Sequence, residues 1–188
     1  RDSAGVARQY CGNLGKVEKN QVGVVAAYAA RLGYALVDKR LFLPSKWFEA
    51  SFTEKRRKCE IPADLEVKTK PELAAEMFQA IAQEGILPFK YVAADTIYGN
   101  SDAFLSAIEQ HPGAIYFVAI SSTTRCWLHP PRTVTKKYRF KNEIYHKESV
   151  PKSENKAVTV ENLAKSFNNY YWYRRKVSEG TKGPIEYE

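Results

Sequence analysis

The chain has 188 residues, 44% hydrophobic and 27% charged, and its 29 Lys and Arg against 21 Asp and Glu give a formal charge of +8. That apolar content supports one good core, or a core with an appended subdomain, and excludes a disordered polyelectrolyte. No apolar run approaches membrane-spanning length, no signal peptide opens the chain, and three widely spaced cysteines (Cys11, Cys59, Cys126) argue against a disulfide framework, so a cytoplasmic, reducing setting without membrane contact is expected.

Residues 21–30 and 34–43 are apolar, β-compatible runs joined by Arg31-Leu32-Gly33, which predicts an antiparallel hairpin ended by Pro44. Residues 45–68 are charged and irregular, and Lys55-Arg56-Arg57-Lys58 reads as a solvated helix face or loop. A helix starts at Thr69: this residue is the N-cap, Glu72 closes a capping box, and Pro71 is tolerated in the first turn. Leu73, Met77, Ala80 and Ile81 then recur on one face until Gly85 stops the helix. The next run, 89–94, ends abruptly at Asp95, and the spacing predicts a strand central in its sheet. A second helix over 101–110 carries Phe104, Leu105 and Ile108; Pro112-Gly113 terminates it, and residues 114–120 form another buried strand. Hairpin, helix, strand, helix, strand is the order of a mixed α/β sheet with helices packed on it.

From residue 121 the texture changes. Residues 1–120 carry 15 Lys/Arg against 14 Asp/Glu, residues 121–176 carry 13 against 4, and residues 177–188 carry 1 against 3, so the segments bear +1, +9 and −2. The basic segment is also rich in Tyr, Phe and Trp. Lys137, Arg139 and Lys141 alternate with Tyr138 and Phe140, so a strand there puts cations on one face and rings on the other. Residues 157–167 suit a short helix, 170–177 a strand, and 180–184 a turn, which makes 121–188 a β-rich insertion or subdomain. Concentrated charge with interleaved aromatics favours a polyanion, and nucleic acid in particular. Cys126 and His129 have zinc-like spacing but no second pair completes four ligands; His111 reads as part of the turn before Pro112, and His146 is isolated.

Asp95 is the acid best placed for chemistry, because reactive groups of open α/β sheets collect at the carboxyl ends of strands; a cap or turn role is the simpler alternative. Asp38 lies mid-strand beside Lys39 and Arg40, where a surface ion pair accounts for it.

Several blocks carry a family resemblance. They are Gly5-Val6-Ala7-Arg8-Gln9-Tyr10-Cys11-Gly12-Asn13-Leu14-Gly15-Lys16-Val17, Gln21-Val22-Gly23-Val24, Asp38-Lys39-Arg40-Leu41-Phe42-Leu43-Pro44, Lys68-Thr69-Lys70-Pro71-Glu72-Leu73-Ala74, Asp95-Thr96-Ile97-Tyr98-Gly99-Asn100 and Gly180-Thr181-Lys182-Gly183-Pro184. In these blocks and their order the chain resembles bacterial insertion-sequence transposases of the Asp-Asp-Glu superfamily over nearly its whole length. The resemblance implies an RNase H-like mixed sheet with flanking helices (incomplete here) over residues 1–120, and a β-rich insertion over 121–188. It implies that two Asp and one Glu hold two divalent ions, Mg²⁺ or Mn²⁺, which activate water or a DNA 3′-hydroxyl for phosphodiester cleavage and strand transfer.

On that reading Asp95 is the second Asp of the triad, both catalytic and metal-binding. The first Asp belongs to a strand before Arg1 and the Glu to a helix after Glu188; Asp2, Glu179, Glu186 and Glu188 lie in the wrong local contexts. Arg1 stands where a Met would open a complete protein, so the chain reads as an internal fragment of a catalytic domain, inactive alone and without a tightly held metal. Arg8 and Gln9 are candidate active-site neighbours. Arg125, Arg132, Lys136, Lys137, Arg139, Lys141, Arg174, Arg175 and Lys176 are candidate contacts to double-stranded transposon-end DNA. A homodimer associated with the bacterial nucleoid is the expected setting. The alternatives are a non-catalytic nucleic-acid-binding remnant of a transposase, and an unrelated polyanion-processing α/β enzyme using Asp95 alone.

Overall fold

A computed structural model describes residues 3–12, 14–141, 143–154, 156–168, 172–173, 175–180 and 183–187, the last two ranges as backbone. Two compact units divide the chain, residues 1–120 and 121–188.

The first unit opens with strands β1 (Ala7–Cys11) and β2 (Lys16–Asn20), antiparallel with Gln9 opposite Glu18. The amides of Gln9 and Asn20 fasten this hairpin reciprocally, each donating to the other's backbone carbonyl at 3.0 and 2.9 Å. The expected second hairpin follows as β3 (Val22–Ala30) and β4 (Gly33–Phe42), with Ala30 opposite Gly33 and a register shift at Ala26/Ala27. Beyond Pro44 the chain winds through two short 3₁₀ turns into helix α1 (Thr53–Lys58), which exposes Lys55, Arg57 and Lys58 of the basic cluster while Arg56 is half-buried and donates to the Pro62 carbonyl at 2.8 Å. Trp47 is almost wholly buried there, and its indole N–H donates to the Val6 carbonyl at 3.0 Å, tying the segment to the N-terminal region.

Helix α2 (Lys70–Glu84) has the predicted capping box: the Thr69 hydroxyl accepts from the Glu72 amide, and the Glu72 carboxylate accepts from the Thr69 amide at 2.7 Å. Gly85 closes it in the left-handed region, φ 65°. Its fully buried positions are Ala75, Met77 and Phe78, whereas Leu73, Ala80 and Ile81 are only half-buried. The shift from the expected stripe has a cause: α2 packs on two sides, against the β3–β4 hairpin and against a second helix, so its apolar face is wider than one row.

Strand β5 (Tyr91–Ala94) leads through the short helix α3 (Thr96–Gly99) and helix α4 (Asp102–Glu109) to β6 (Ile115–Val118), which pairs parallel with β5, Tyr91 opposite Ile115 and Ala94 opposite Val118. The core of the unit joins Ala75 and Phe78 of α2 to Phe104, Ala107 and Ile108 of α4, with Val92, Ala94 and Val118 against them.

One expectation is corrected. β5 is not central in a continuous mixed sheet: the described strands pair only two by two, β3 with β4 and β5 with β6. Between the open edges of β3 and β5 lies a cavity of about 570 Å³, lined by Val24–Ala29, by Tyr91–Ala94 and by Ala74, Met77, Phe78 and Ile81 of α2. The Tyr28 hydroxyl donates to the Pro88 carbonyl across it at 2.7 Å. Strand periodicity shows which residues are extended but not which edges meet, and that is why the pattern alone implied one sheet.

In the second unit, the short strand β7 (Arg125–Cys126) is followed by β8 (Val134–Phe140) and β9 (Glu143–Ser149), which form an antiparallel hairpin, and then by β10 (Val158–Thr159), which pairs back onto β7. Thr159 caps helix α5 (Val160–Ser166), its hydroxyl accepting from the Asn162 amide at 3.2 Å. The last hairpin is β11 (Arg175–Gly180) with β12 (Gly183–Tyr187). The strand expected over 170–177 thus starts later: residues 172–173 have no regular structure, and 170, 171 and 174 lie outside the described residues. Pro184 belongs to β12 and not to the turn.

Candidate active site and nucleic-acid interface

β5 delivers Asp95 to its carboxyl end, and both readings of that residue hold geometrically. It is the N-cap of α3, with extended φ and ψ of −80° and −177°, and its Oδ1 accepts from the Ile97 amide at 3.0 Å. The residue is exposed, and Oδ2 has no protein hydrogen-bond partner among the described residues, so one oxygen anchors the turn while the other is available. Asp95 also stands at the rim of the 570 Å³ cavity. Beside it, Tyr98 is half-buried against Phe104, ring centroids 5.5 Å apart. Burial first, and then the charge of Asp95, push the Tyr98 hydroxyl above its ordinary range, so it stays protonated.

What fixes Asp95 in place is Gly99, whose role the sequence pattern did not reveal. A β-carbon there would stand 2.1 Å from the Ala119 carbonyl oxygen and 3.2 Å from Val118 Cγ2. α3 therefore rides directly on the end of β6, an approach only glycine permits. Ser101 then caps α4, accepting from the Phe104 amide at 3.4 Å. A Gly four residues after an Asp that ends a strand was the available signal.

An exposed carboxylate oxygen is the hard donor that Mg²⁺ or Mn²⁺ takes, so Asp95 fits as one ligand. The described residues contain no cluster of three His, Cys, Asp or Glu side chains able to hold a metal. Asp38 is not brought to Asp95: it accepts from Arg40 Nη1 at 2.5 Å and from the Lys39 amide at 2.6 Å. Glu179 and Glu186 sit on β11 and β12, described as backbone only, and Asp2 and Glu188 lie outside the described residues. Arg8 and Gln9 are consecutive on β1 and so point to opposite faces; neither lines the Asp95 cavity, and the Gln9 amide is committed to the hairpin.

The candidate DNA contacts are arranged less simply than the alternation suggested. Arg125 lies on β7 and donates from Nη2 to the Ala157 carbonyl at 3.1 Å, while Arg132 is exposed in an irregular stretch. In the β8–β9 hairpin one face carries Lys137 opposite His146 and Arg139 opposite Ile144. The other carries Tyr138 opposite Tyr145 and Phe140 opposite Glu143, but also Lys136 opposite Lys147. Lys141 leaves the alternation altogether: it sits in the turn with φ 44°, its Nζ 5.5 Å over the Phe140 ring. Cations therefore occupy both faces. Lys147 and Tyr145 were not singled out from the sequence and His146 reads there as isolated, although the polar–aromatic alternation resuming after Asn142 was a signal for a partner strand. Arg175 and Lys176 lie on β11 with only their backbone described, and Arg174 lies outside the described residues. Cys126 Sγ donates to the Val158 carbonyl at 3.7 Å, a packing role in the small β7–β10 sheet.

A mixed α/β domain with an acid at the end of a parallel strand is an architecture on which polyanion chemistry is commonly built. A family model described as DDE superfamily endonuclease matches residues 1–184, and the chain belongs to this family of DDE-type, transposase-like proteins. No curated protein and no solved structure matches the chain. Among the described residues no helix is long and apolar enough to cross a membrane.

Proposed function

We propose that this chain forms part of the catalytic domain of an insertion-sequence transposase, which binds the ends of its element and cuts and transfers DNA strands with a divalent metal. The single observation that carries this reading is the position of Asp95. It is an exposed carboxylate with one oxygen free at the carboxyl end of a parallel strand, in a chain matched over residues 1–184 as a DDE superfamily endonuclease. Asp95 would supply one oxygen to a divalent ion, which, if held there with two further acids, would supply charge stabilisation at the scissile phosphate. Gly99 and the α3 cap hold the carboxylate still, and Tyr98 beside it stays protonated.

In this reading the two further acids lie elsewhere in the full-length protein, and the chain alone does not cut DNA. The open edges of β3 and β5 support an RNase H-like completion, in which one more strand seats between them and joins the two pairs into a mixed sheet. The basic second unit holds duplex DNA of the transposon ends, and a homodimer working on the nucleoid in the cytoplasm is the natural setting for two ends.

The test uses the full-length protein and the substitution Asp95→Asn. Asn caps a helix about as well as Asp, so melting temperature and DNA binding are expected to hold while Mg²⁺- or Mn²⁺-dependent nicking of plasmid DNA is lost. Mg²⁺ is also expected to raise the melting temperature of the wild type and not that of Asp95→Asn. Retained nicking in Asp95→Asn defeats the assignment. A second reading is a DNA-binding remnant without chemistry, supported by the concentration of cations in the second unit; it is the outcome if the full-length wild type binds DNA and never nicks it.

A further inference from the structure

The β8–β9 hairpin presents two like charges directly across from each other, Lys136 opposite Lys147. Such pairs destabilise a ribbon in isolation. Among the described residues no ion pair joins either lysine to an acid; Glu143 is engaged by the Tyr145 hydroxyl instead. Lys and Arg outnumber the two acids of the hairpin, Glu143 and Glu148, as expected of a surface whose counter-charge comes from a polyanion.

The same face as the Lys136–Lys147 pair carries a facing pair of rings, Tyr138 and Tyr145, with Phe140 next to them. Their exposures of 47%, 49% and 64% leave ring surface open to solvent. Phosphate contacts alone need no rings. Bases within a duplex are already stacked on one another, whereas unpaired bases find a stacking partner in an exposed aromatic side chain. A two-stranded ribbon with rings in the middle, a lysine pair one step along and Lys141 beyond has the combination that tracks a single strand: stacking for the bases, cations for the backbone.

We infer that this hairpin face binds unpaired DNA, with Tyr138, Tyr145 and Phe140 stacking bases and Lys136 and Lys147 contacting the flanking phosphates. The inference rests on the proposed DNA-binding role of the second unit and sharpens it: part of the unit takes a strand opened or already cut, and not only the intact duplex.

The experiment compares the chain's affinity, by fluorescence anisotropy at low salt, for an oligothymidylate of about a dozen nucleotides and for a duplex of equal length. The double variant Tyr138→Ala/Tyr145→Ala is expected to lose roughly tenfold or more in single-strand affinity and to change duplex affinity by less than about twofold. The pair Tyr138→Phe/Tyr145→Phe, which keeps the stacking surface, is expected to retain single-strand binding, and an iodouracil-substituted strand is expected to photo-crosslink to the peptide 134–149. Equal weakening on both substrates, or crosslinks only elsewhere, overturns the inference and leaves the DNA-binding reading standing. Failure to bind either substrate overturns both.

Discussion

Replacing Gly99 by Ala tests whether the Asp95 turn is held by close backbone approach. If Gly99 were an ordinary helical residue, Ala would stabilise the protein by up to about 1 kcal/mol through better helix propensity and a less flexible unfolded chain. The structure predicts the opposite sign. The new methyl would stand 2.1 Å from the Ala119 carbonyl oxygen, against a normal separation near 3.5 Å, and the obstruction is backbone, which no rotamer change relieves. α3 must then lift off β6 by more than about 1 Å, an overpacking whose cost of about 3 kcal/mol outweighs the gain. The net destabilisation of about 2 kcal/mol lowers the melting temperature by roughly 4–8 °C for a chain of this size, read by calorimetry on the transition of the first unit. Because Asp95 opens the same helix, the shift also displaces the candidate ligand, so nicking by the full-length Gly99→Ala protein falls with it. An unchanged or raised melting temperature would refute the idea that packing on β6 fixes this turn.

Other perturbations discriminate other parts of the molecule. Ile108→Ala removes the most deeply buried core side chain, and a destabilisation of about 3–4 kcal/mol is expected in urea unfolding; a value below about 1 kcal/mol would place the core elsewhere. Thr69→Ala removes half of the capping box and costs about 1 kcal/mol. The Thr69 amide, and then its hydroxyl, hold the Glu72 carboxyl below its ordinary range, so this contribution is full above the unfolded value near 4.3 and fades as pH falls through the lower folded value. The gap between wild type and Thr69→Ala should accordingly narrow in acid, and a gap independent of pH would show that the ionised box is not involved. Changing Lys137 and Arg139 to Gln should weaken duplex binding and flatten its logarithmic salt dependence by up to about 0.9 for each phosphate that is no longer neutralised; an unaltered slope would remove this face from the interface.

Sequence pattern specifies structure here where the determinants are local. Thr69 and Glu72 announce the start of α2 because a capping box lies within four residues, and the β3–β4 hairpin follows from two apolar runs separated by a short gap. Features that depend on distant partners were not legible. The β1–β2 hairpin was missed because Lys16-Val17-Glu18-Lys19-Asn20 is almost wholly polar and its strand character comes from pairing with Ala7–Cys11. The separation of β3–β4 from β5–β6 is a matter of edges, which side-chain periodicity does not encode. Along β8 the alternation marked the strand but not its ends: Lys141 falls in the turn, and Lys136 shares the ring face because it lies two residues from Tyr138. At Asp95 the carboxyl end of a strand was readable from the break in hydropathy, while the clamp at Gly99 depends on Ala119, twenty positions along the chain.

The cap role of Asp95 is compatible with the proposed ligand role because the two use different oxygens. A cap satisfies a backbone N–H with Oδ1 and orients the carboxylate, so Oδ2 is presented with little further loss of side-chain entropy at the moment of ligation. The surroundings are equally suited to an acid that waits for partners. Bringing two more carboxylates beside Asp95 would be unfavourable unless a cation were present. A domain built this way has its Asp95 turn formed by local bonds, the Oδ1 cap and the Gly99 contact, independently of any ligand that Oδ2 takes.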